Sequence, residues 1–483
     1  MSQVGVSQAG STAEAQVHGE PSRFPALLTR EARAYAMKEL ARRAGVSADF
    51  FRTWKMEFSE TGTTVYVLPG TRKRVFFPDA PSDIWPDLIR GDFRTLRLGW
   101  LNESAVPSIQ QAVVPFVHKS QSQTKALFRT PDSEQVECTV DLPLAALLIL
   151  SRWEERVIEE RDQHGRIPAS ASVAYRERFL RRPVVDEYGM AFRQALQWLM
   201  PNWRPIPSAM RVHVSHDIDT VGLPFSLRSA VGHTLRRHNP LATANDFLGM
   251  LPGFNPALLE MIRTLVTLCL RRDLQPAVYW KGTTRGRKRK DYDPYHPKVR
   301  GMIKWLQKYE IEVGVHPSYN TFRSPDKLRR EVLTIREILG TDTLGGRQDY
   351  LRWCPQTWLD WENCGLLYDS SVGFADQVGF RAGTCVPYHP WVFELNRQAK
   401  LVEVPLIVMD CTLTAYMKLD HDQSLIAVSE CIEQCRRVGG VFALLWHADS
   451  MLNPAMEDML PPILDSLTGL PRYDASNPPN DLY

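Results

Sequence analysis

The chain has no CxxC pair, no apolar run of bilayer length, and little excess of either charge over its 483 residues. Its eight cysteines (Cys138, Cys269, Cys354, Cys364, Cys385, Cys411, Cys431 and Cys435) are scattered through a large sequence. That excludes a compact disulfide framework and suits reduced thiols. Cys431 and Cys435 are spaced to share one face of a helix, where core packing is the plain expectation. The apolar runs at 144–150 and 265–270 are under half of the about 20 residues that a bilayer requires. The first 20 residues have neither the basic start nor the apolar stretch of a secretory signal. A soluble, cytoplasmic protein is therefore expected, with residues 1–25 as a disordered tail. The net charge of +3 gives no reason to expect a nucleic-acid partner.

What is present is an ordinary globular composition, 44% apolar and 23% charged, in a chain long enough for two domains. Helical spacing runs over 28–45, 142–161 and 188–200, with β-like runs at 63–68 and 74–78. Residues 26–200 thus read as an α+β domain without legible chemistry. The Pro-rich stretch PNWRPIPSAM (201–210) reads as a linker. After it, seven short apolar strands alternate with helical segments: RVHVS (211–215), PAVYW (276–280), IEVGV (311–315), TLGG (343–346), LLYDSS (366–371), VEVPL (402–406) and VFALLW (441–446). Helices are expected over 255–272, 297–309 and 325–339. Such alternation argues for a parallel sheet or barrel over 211–470, followed by a C-terminal tail at 471–483.

Five of the seven strands end in residues able to do chemistry, at the position where βα barrels carry their active sites. The first runs into Asp217 and Asp219, the third into His316, the fourth into Arg347, the fifth into Asp369 and the last into His447. Two carboxylates one residue apart can divide their labour, one binding a metal and the other acting as general base. Pro317 suits the first turn of a helix, which would make His316 its cap and set Asn320 one turn along as a second ligand. Arg347 can hold the base carboxylate by a charge-assisted bond. His447 can protonate a leaving group, with Asp369 nearby to raise its pKa. Each residue also has a plain reading: a solvated turn, a hydrogen-bonded histidine, an ion pair. Their recurrence at strand ends outweighs the single cases.

The segments VSHDID, GVHPSYN, GGRQDYLRW, YDSSVGFADQVGFRAGT, VPLIVMDCTL and LLWH, in that order, resemble the polysaccharide deacetylase-like superfamily, in its bacterial branch with HDxD and GxHPSY signatures. SRWEERVIEERDQHGRIPAS (151–170) and PVVDEYG (183–189) resemble the N-terminal domain fused to that branch. The resemblance covers roughly residues 60–460. It implies an α/β fold: a distorted seven-stranded (β/α) barrel preceded by a smaller α+β domain. It implies a metal-dependent hydrolase that removes an N-acetyl or other acyl group from a sugar or polysaccharide, free or lipid-linked, as in bacterial polysaccharide biosynthesis. The implied catalytic residues are Asp217 as base, His447 as acid, Arg347 orienting the base and Asp369 as acidic partner. The implied metal ligands are Asp219, His316 and Asn320, around Zn²⁺ with Co²⁺ or Ni²⁺ as alternatives. The chain departs from the pattern in Asp-Ile-Asp for adjacent aspartates, in Asn320 for a histidine, and in Asp349 where a histidine is expected.

Two other functions remain open at this point. A glycoside hydrolase on a similar barrel would use two carboxylates and no metal. A carbohydrate-binding or regulatory relative would keep the fold and lose turnover. The basic run RGRKRK (285–290) reads as a solvated loop, with guidance of an anionic polysaccharide as the alternative. The Trp-rich segment 353–361 reads as core.

Overall fold

The computed structural model describes residues 29–59, 62–81, 83–102, 111–221, 256–283 and 292–477. The expected tail at 1–25 and the basic run 285–290 lie outside these residues. No helix among those described is long and apolar enough to cross a membrane.

The N-terminal half is built on a mixed seven-stranded sheet. Its strands are β1 (Lys55–Ser59), β2 (Thr63–Val67), β3 (Arg74–Pro78), β4 (Arg94–Leu101), β5 (Gln111–Val117), β6 (Ala126–Asp132) and β7 (Gln135–Cys138). They lie in the order β1-β2-β3-β7-β6-β4-β5. The helix Val184–Leu199 packs on β4 to β7, and the helix Arg30–Arg43 packs on it and on Leu142–Leu150. All nine residues of Leu142–Leu150 are buried. This helix ends well before residue 161. Arg152 turns into the left-handed region at φ 53°, where its guanidinium reaches Glu155 at 2.9 Å and Glu154 at 2.8 Å. Buried charges need partners, and making these pairs breaks the helix; a short helix, Glu154–Val157, follows.

The C-terminal half alternates strands and helices. β8 (Arg211–Ile218) is central, with β9 (Ala277–Trp280) and β10 (Glu312–Val315) on one side. β11 is Tyr368–Asp369, and an antiparallel hairpin, β12 (Trp391–Val392) and β13 (Arg397–Gln398), precedes β14 (Val402–Glu403). β15 (Val408–Met409) and β16 (Val441–Leu445) lie on the other side of β8, giving the order β10-β9-β8-β16-β15. All neighbouring pairs in this sheet are parallel. The helices Pro256–Leu270, Pro297–Lys308, Pro325–Leu339, Pro355–Asn363 and His421–Val438 fall between strands.

The expected strand at 343–346 survives as one residue. Gly346 bridges in parallel to Val315 on one side and Asp369 on the other. Only glycine fits this close approach: a Cβ on Gly346 would lie 1.8 Å from the Val315 carbonyl oxygen. β11 then pairs in parallel with β14. Arg472, within the expected C-terminal tail, bridges to Val212 of β8, and the neighbouring Tyr473 is buried.

One continuous apolar core runs through both halves, from Ala32 and Leu147 to Trp280 and Phe442. The cysteines are free, and Cys431 and Cys435 are in this core. Trp353, Trp358 and Trp361 are core as well. Polar ties cross between the halves in buried surroundings. Arg381 donates to Glu155 at 2.9 Å, Asp186 accepts from Cys385 N–H at 2.9 Å, and the Tyr388 hydroxyl donates to the Leu150 carbonyl at 2.9 Å.

Candidate metal-assisted active site

The residues at the C-terminal ends of the parallel strands converge on a cavity of about 380 Å³. Asp217, Asp219, His316 and His447 all line it. Asp217 is at the end of β8 and buried. Its Oδ1 accepts from Arg347 Nη1 at 3.0 Å. Arg347 is itself fully buried and fixed by Ser370, donating from Nε to the carbonyl (2.8 Å) and from Nη2 to Oγ (3.0 Å). The neighbouring His216 points the other way, with Nδ1 donating to the Trp446 carbonyl at 2.8 Å. Burial pushes its pKa down to about 4, so it is a neutral core residue.

His316 follows β10 and donates from Nδ1 to the Arg347 carbonyl at 2.8 Å. That bond fixes the ring with Nε2 facing the cavity, where Asp219 Oδ1 is 3.3 Å and Asp349 Oδ1 is 3.5 Å away. Burial alone would lower the pKa of His316; the Asp217 charge and the hydrogen bonds His316 donates to Asp219 and Asp349 override it and raise it to about 10. Burial would likewise raise the Asp219 carboxyl, but the His316 bond and the charges of Lys281, His316 and His447 hold it well below the usual range.

Two expectations need correction here. Asn320 is exposed and does not line the cavity. Pro317 does not open an α-helix: residues Tyr319–Thr321 make a single 3₁₀ turn. Glu331, on the helix Pro325–Leu339, accepts from Ser318 N–H at 2.8 Å and Ser318 Oγ at 2.6 Å. This pins the turn so that Asn320 faces solvent, and Asp349 takes the place expected for it. Asp369 is not the partner of His447 either. It is fully buried, away from the cavity lining, and accepts from Ser371 N–H at 2.9 Å.

The partner of His447 is Asp410. Asp410 Oδ1 is 2.7 Å from His447 Nδ1, and its Oδ2 accepts from His447 N–H at 2.7 Å and Ser450 Oγ at 2.6 Å. Burial would lower the pKa of His447, but the Asp410 charge and hydrogen bond raise it well above the ordinary value. Lys281 was also missed. It follows β9, is buried, and places Nζ 3.1 Å from Asp219 and 3.4 Å from Asp349. The signal for both lay in the strand-end rule. PAVYW (276–280) and VEVPL (402–406) were the two strands left aside; Lys281 follows the first directly, and Asp410 stands four residues past the second, directly after β15.

Ligand atoms bound about 2.0–2.2 Å from a tetrahedral ion stand about 3.3–3.6 Å apart. His316 Nε2 is at that separation from both Asp219 and Asp349, and donor atoms of all three lie within 4.8 Å of one another. One imidazole and two carboxylates form a set suited to a divalent cation. Two other groups among the described residues come as close. In one, Asp410 and His447 already satisfy each other; in the other, Asp83, Asp87 and His118, the His118 Nδ1 accepts from Ser120 N–H, which leaves the proton on the nitrogen facing the acids.

A family of unknown function, DUF7033, matches residues 95–201. No curated protein matches the chain. Solved structures that match include one from Mycobacterium smegmatis described as a polysaccharide deacetylase, at 14% identity and TM-score 0.37, over 55% of this chain and 86% of that one. The PuuE allantoinase matches at 12% identity and TM-score 0.37, over 55% and 86%. A protein of Pseudomonas aeruginosa PAO1, also described as a polysaccharide deacetylase, matches at 13% identity and TM-score 0.36, over 54% and 85%.

Proposed function

We propose that the protein is a metal-dependent hydrolase that removes an acyl group, N-acetyl in the first instance, from a sugar or polysaccharide. The observation that carries this reading is the convergence of Asp219, His316 and Asp349 donor atoms beside an Arg347-held Asp217 and an Asp410-held His447. The parallel segments support a distorted seven-stranded barrel: the stretch 402–409 pairs with β11 at one end and with β16 at the other, which brings the two sheet edges together.

Asp219, His316 and Asp349 are the residues that would hold the ion; when bound it supplies Lewis-acid polarisation of the scissile carbonyl and a more acidic water. Asp217 accepts the proton of the attacking water, and Arg347 keeps its carboxylate aimed. His447, protonated because Asp410 faces its Nδ1, donates from Nε2 to the departing amine as the C–N bond breaks. General base and general acid each contribute about 10²–10⁴-fold. Asp217→Asn is therefore expected to lower acetate release from N-acetylated oligosaccharides at least a hundredfold in a chain that still unfolds cooperatively, at a midpoint lowered because the buried Arg347 charge loses its partner. Near wild-type turnover in that variant would remove the base assignment.

One observation favours a second reading. The Lys281 ammonium already sits against the Asp219 and Asp349 carboxylates, as in a carbohydrate-binding protein that does without an ion. Metal analysis of the purified protein separates the two: no stoichiometric ion, and no activity with added Zn²⁺, Co²⁺ or Ni²⁺, would favour binding without turnover.

A further inference from the structure

The loop that runs through Asp162 and Arg166 belongs to the N-terminal half, yet His164 and Arg166 line the cavity. Asp162 organises this loop. Its carboxylate accepts from His164 N–H at 2.8 Å, Arg166 N–H at 2.9 Å and Arg166 Nε at 2.8 Å. The guanidinium so fixed is buried. It donates from Nη1 to the Tyr350 carbonyl at 2.8 Å and from Nη2 to the Tyr416 hydroxyl at 3.2 Å. A tie runs back the other way, from Arg352 Nε to the His164 carbonyl at 2.8 Å.

The turn held in this manner has a backbone that needs holding. Tyr350 (φ 59°) and Leu351 (φ 51°) are consecutive non-glycine residues in the left-handed region. Bulky side chains crowd the backbone there, and such a conformation persists only where its surroundings enforce it. Asp349 comes immediately before. Its N–H is held by the Pro317 carbonyl at 3.2 Å, and its carboxylate faces Lys281 and His316.

We propose that Arg166 is a positioning residue of the active site: by holding the Tyr350 carbonyl it fixes the left-handed turn and thereby aims the Asp349 carboxylate at the metal-donor set. The N-terminal half is then a working part of the site. The inference rests on the reading above in taking Asp349 as a metal donor.

The test uses the full chain, with wild type, Arg166→Met, Arg166→Lys, Asp162→Asn and Asp349→Asn compared by Co²⁺ titration, the visible Co²⁺ spectrum and amide hydrogen exchange. Asp349→Asn gives the spectral signature of losing that donor. Removing a group that orients a metal ligand costs about 10–100-fold in affinity. Arg166→Met is expected to weaken Co²⁺ by that factor, to move the spectrum toward that of Asp349→Asn, and to speed exchange at residues 349–352. Arg166→Lys, which keeps one donor for the Tyr350 carbonyl, is expected to fall between. If Arg166→Met does not fold, Asp162→Asn is judged by the same readouts. A lower unfolding midpoint with Co²⁺ affinity and spectrum unchanged would overturn the proposal, as would unchanged exchange at the turn. A wild-type chain that binds no Co²⁺ would instead sink the metal-dependent reading and take this inference with it.

Discussion

Asp217 and Asp219 are separated by one residue, yet they meet different surroundings, and each therefore does different work. Asp217 accepts from Arg347 and has His316 Nδ1 3.6 Å away, while Asp219 meets Lys281, His316 Nε2 and His447. Lys281 bears directly on the proposed metal site, because its Nζ lies against both donor carboxylates. A unit charge about 4 Å from another is worth about 4 kcal/mol at an effective dielectric near 20, so an ammonium beside two donor carboxylates opposes a divalent ion. Lys281→Gln is expected to tighten Co²⁺ binding at least tenfold in a competition titration. Weaker binding would mean that the ammonium holds the carboxylates in place for the ion. Away from the cavity, Asp369 makes a second residue-scale prediction. Burial pushes its carboxyl up to about 7 against the lowering effects of Ser371 and Arg347, and Glu403 beside it is pushed up by burial and by the Asp369 charge. The folded chain then keeps a proton that the unfolded chain, with an ordinary Asp near 3.9, releases. The native state gains from that proton below about pH 4, and stability falls as pH rises from about 4 to 7. Asp369→Asn has no proton to release there, so its urea-unfolding stability is expected to change less between pH 5 and pH 8 than that of wild type. Equal slopes would show that the carboxyl titrates normally.

Among the elements, the shortest strand decides the most. Gly346 carries the link between β10 and β11, and Arg347 follows it directly into the site. Gly346→Ala would drive a Cβ to 1.8 Å from the Val315 carbonyl. Overpacking of this kind costs about 1–3 kcal/mol and at times more. The variant is expected to lose about 3 kcal/mol in chemical denaturation and to lose turnover beyond that, since Arg347 moves with it; retention of both would show that the strand yields. The same element explains what a sequence can tell. The parallel strands were legible because their buried faces make continuous apolar runs, as in PAVYW and VFALL, and the site was legible where such a run stops at a polar residue. Asn320 was misplaced because Pro317 suits a helix start, whereas the turn is set by Glu331, thirteen residues away and reachable only through tertiary packing. Asp349 was noticed as a departure without being read as a donor, since two consecutive left-handed residues after it have no local sequence signature. The helix through 142–161 failed for a related reason: the charges after Leu150 are buried as ion pairs rather than solvated on a helix face.

At the scale of the molecule, the linker at 201–210 reads as a boundary in composition, but the packing across it is that of one core. Apolar residues of both halves form a single cluster, and Arg381 with Glu155 ties them through charged groups that have left water, at side-chain exposures of 1% and 2%. Removing Glu155 strands the buried Arg381 charge, at about 3–5 kcal/mol, in addition to the apolar surface laid bare. That total approaches the whole stability of an ordinary domain, about 5–15 kcal/mol. A chain beginning at residue 205 is accordingly expected to lack a cooperative thermal transition, to show weak near-ultraviolet circular dichroism, and to bind an apolar dye that the full chain excludes. Co-expression with residues 26–204 is expected to restore the transition, because the missing surface is then supplied without a covalent link. A truncated chain that melts sharply on its own and binds Co²⁺ as tightly as the full protein would show two independent units. It would also leave the N-terminal half without the structural hold on the site that the Arg166 contacts give it.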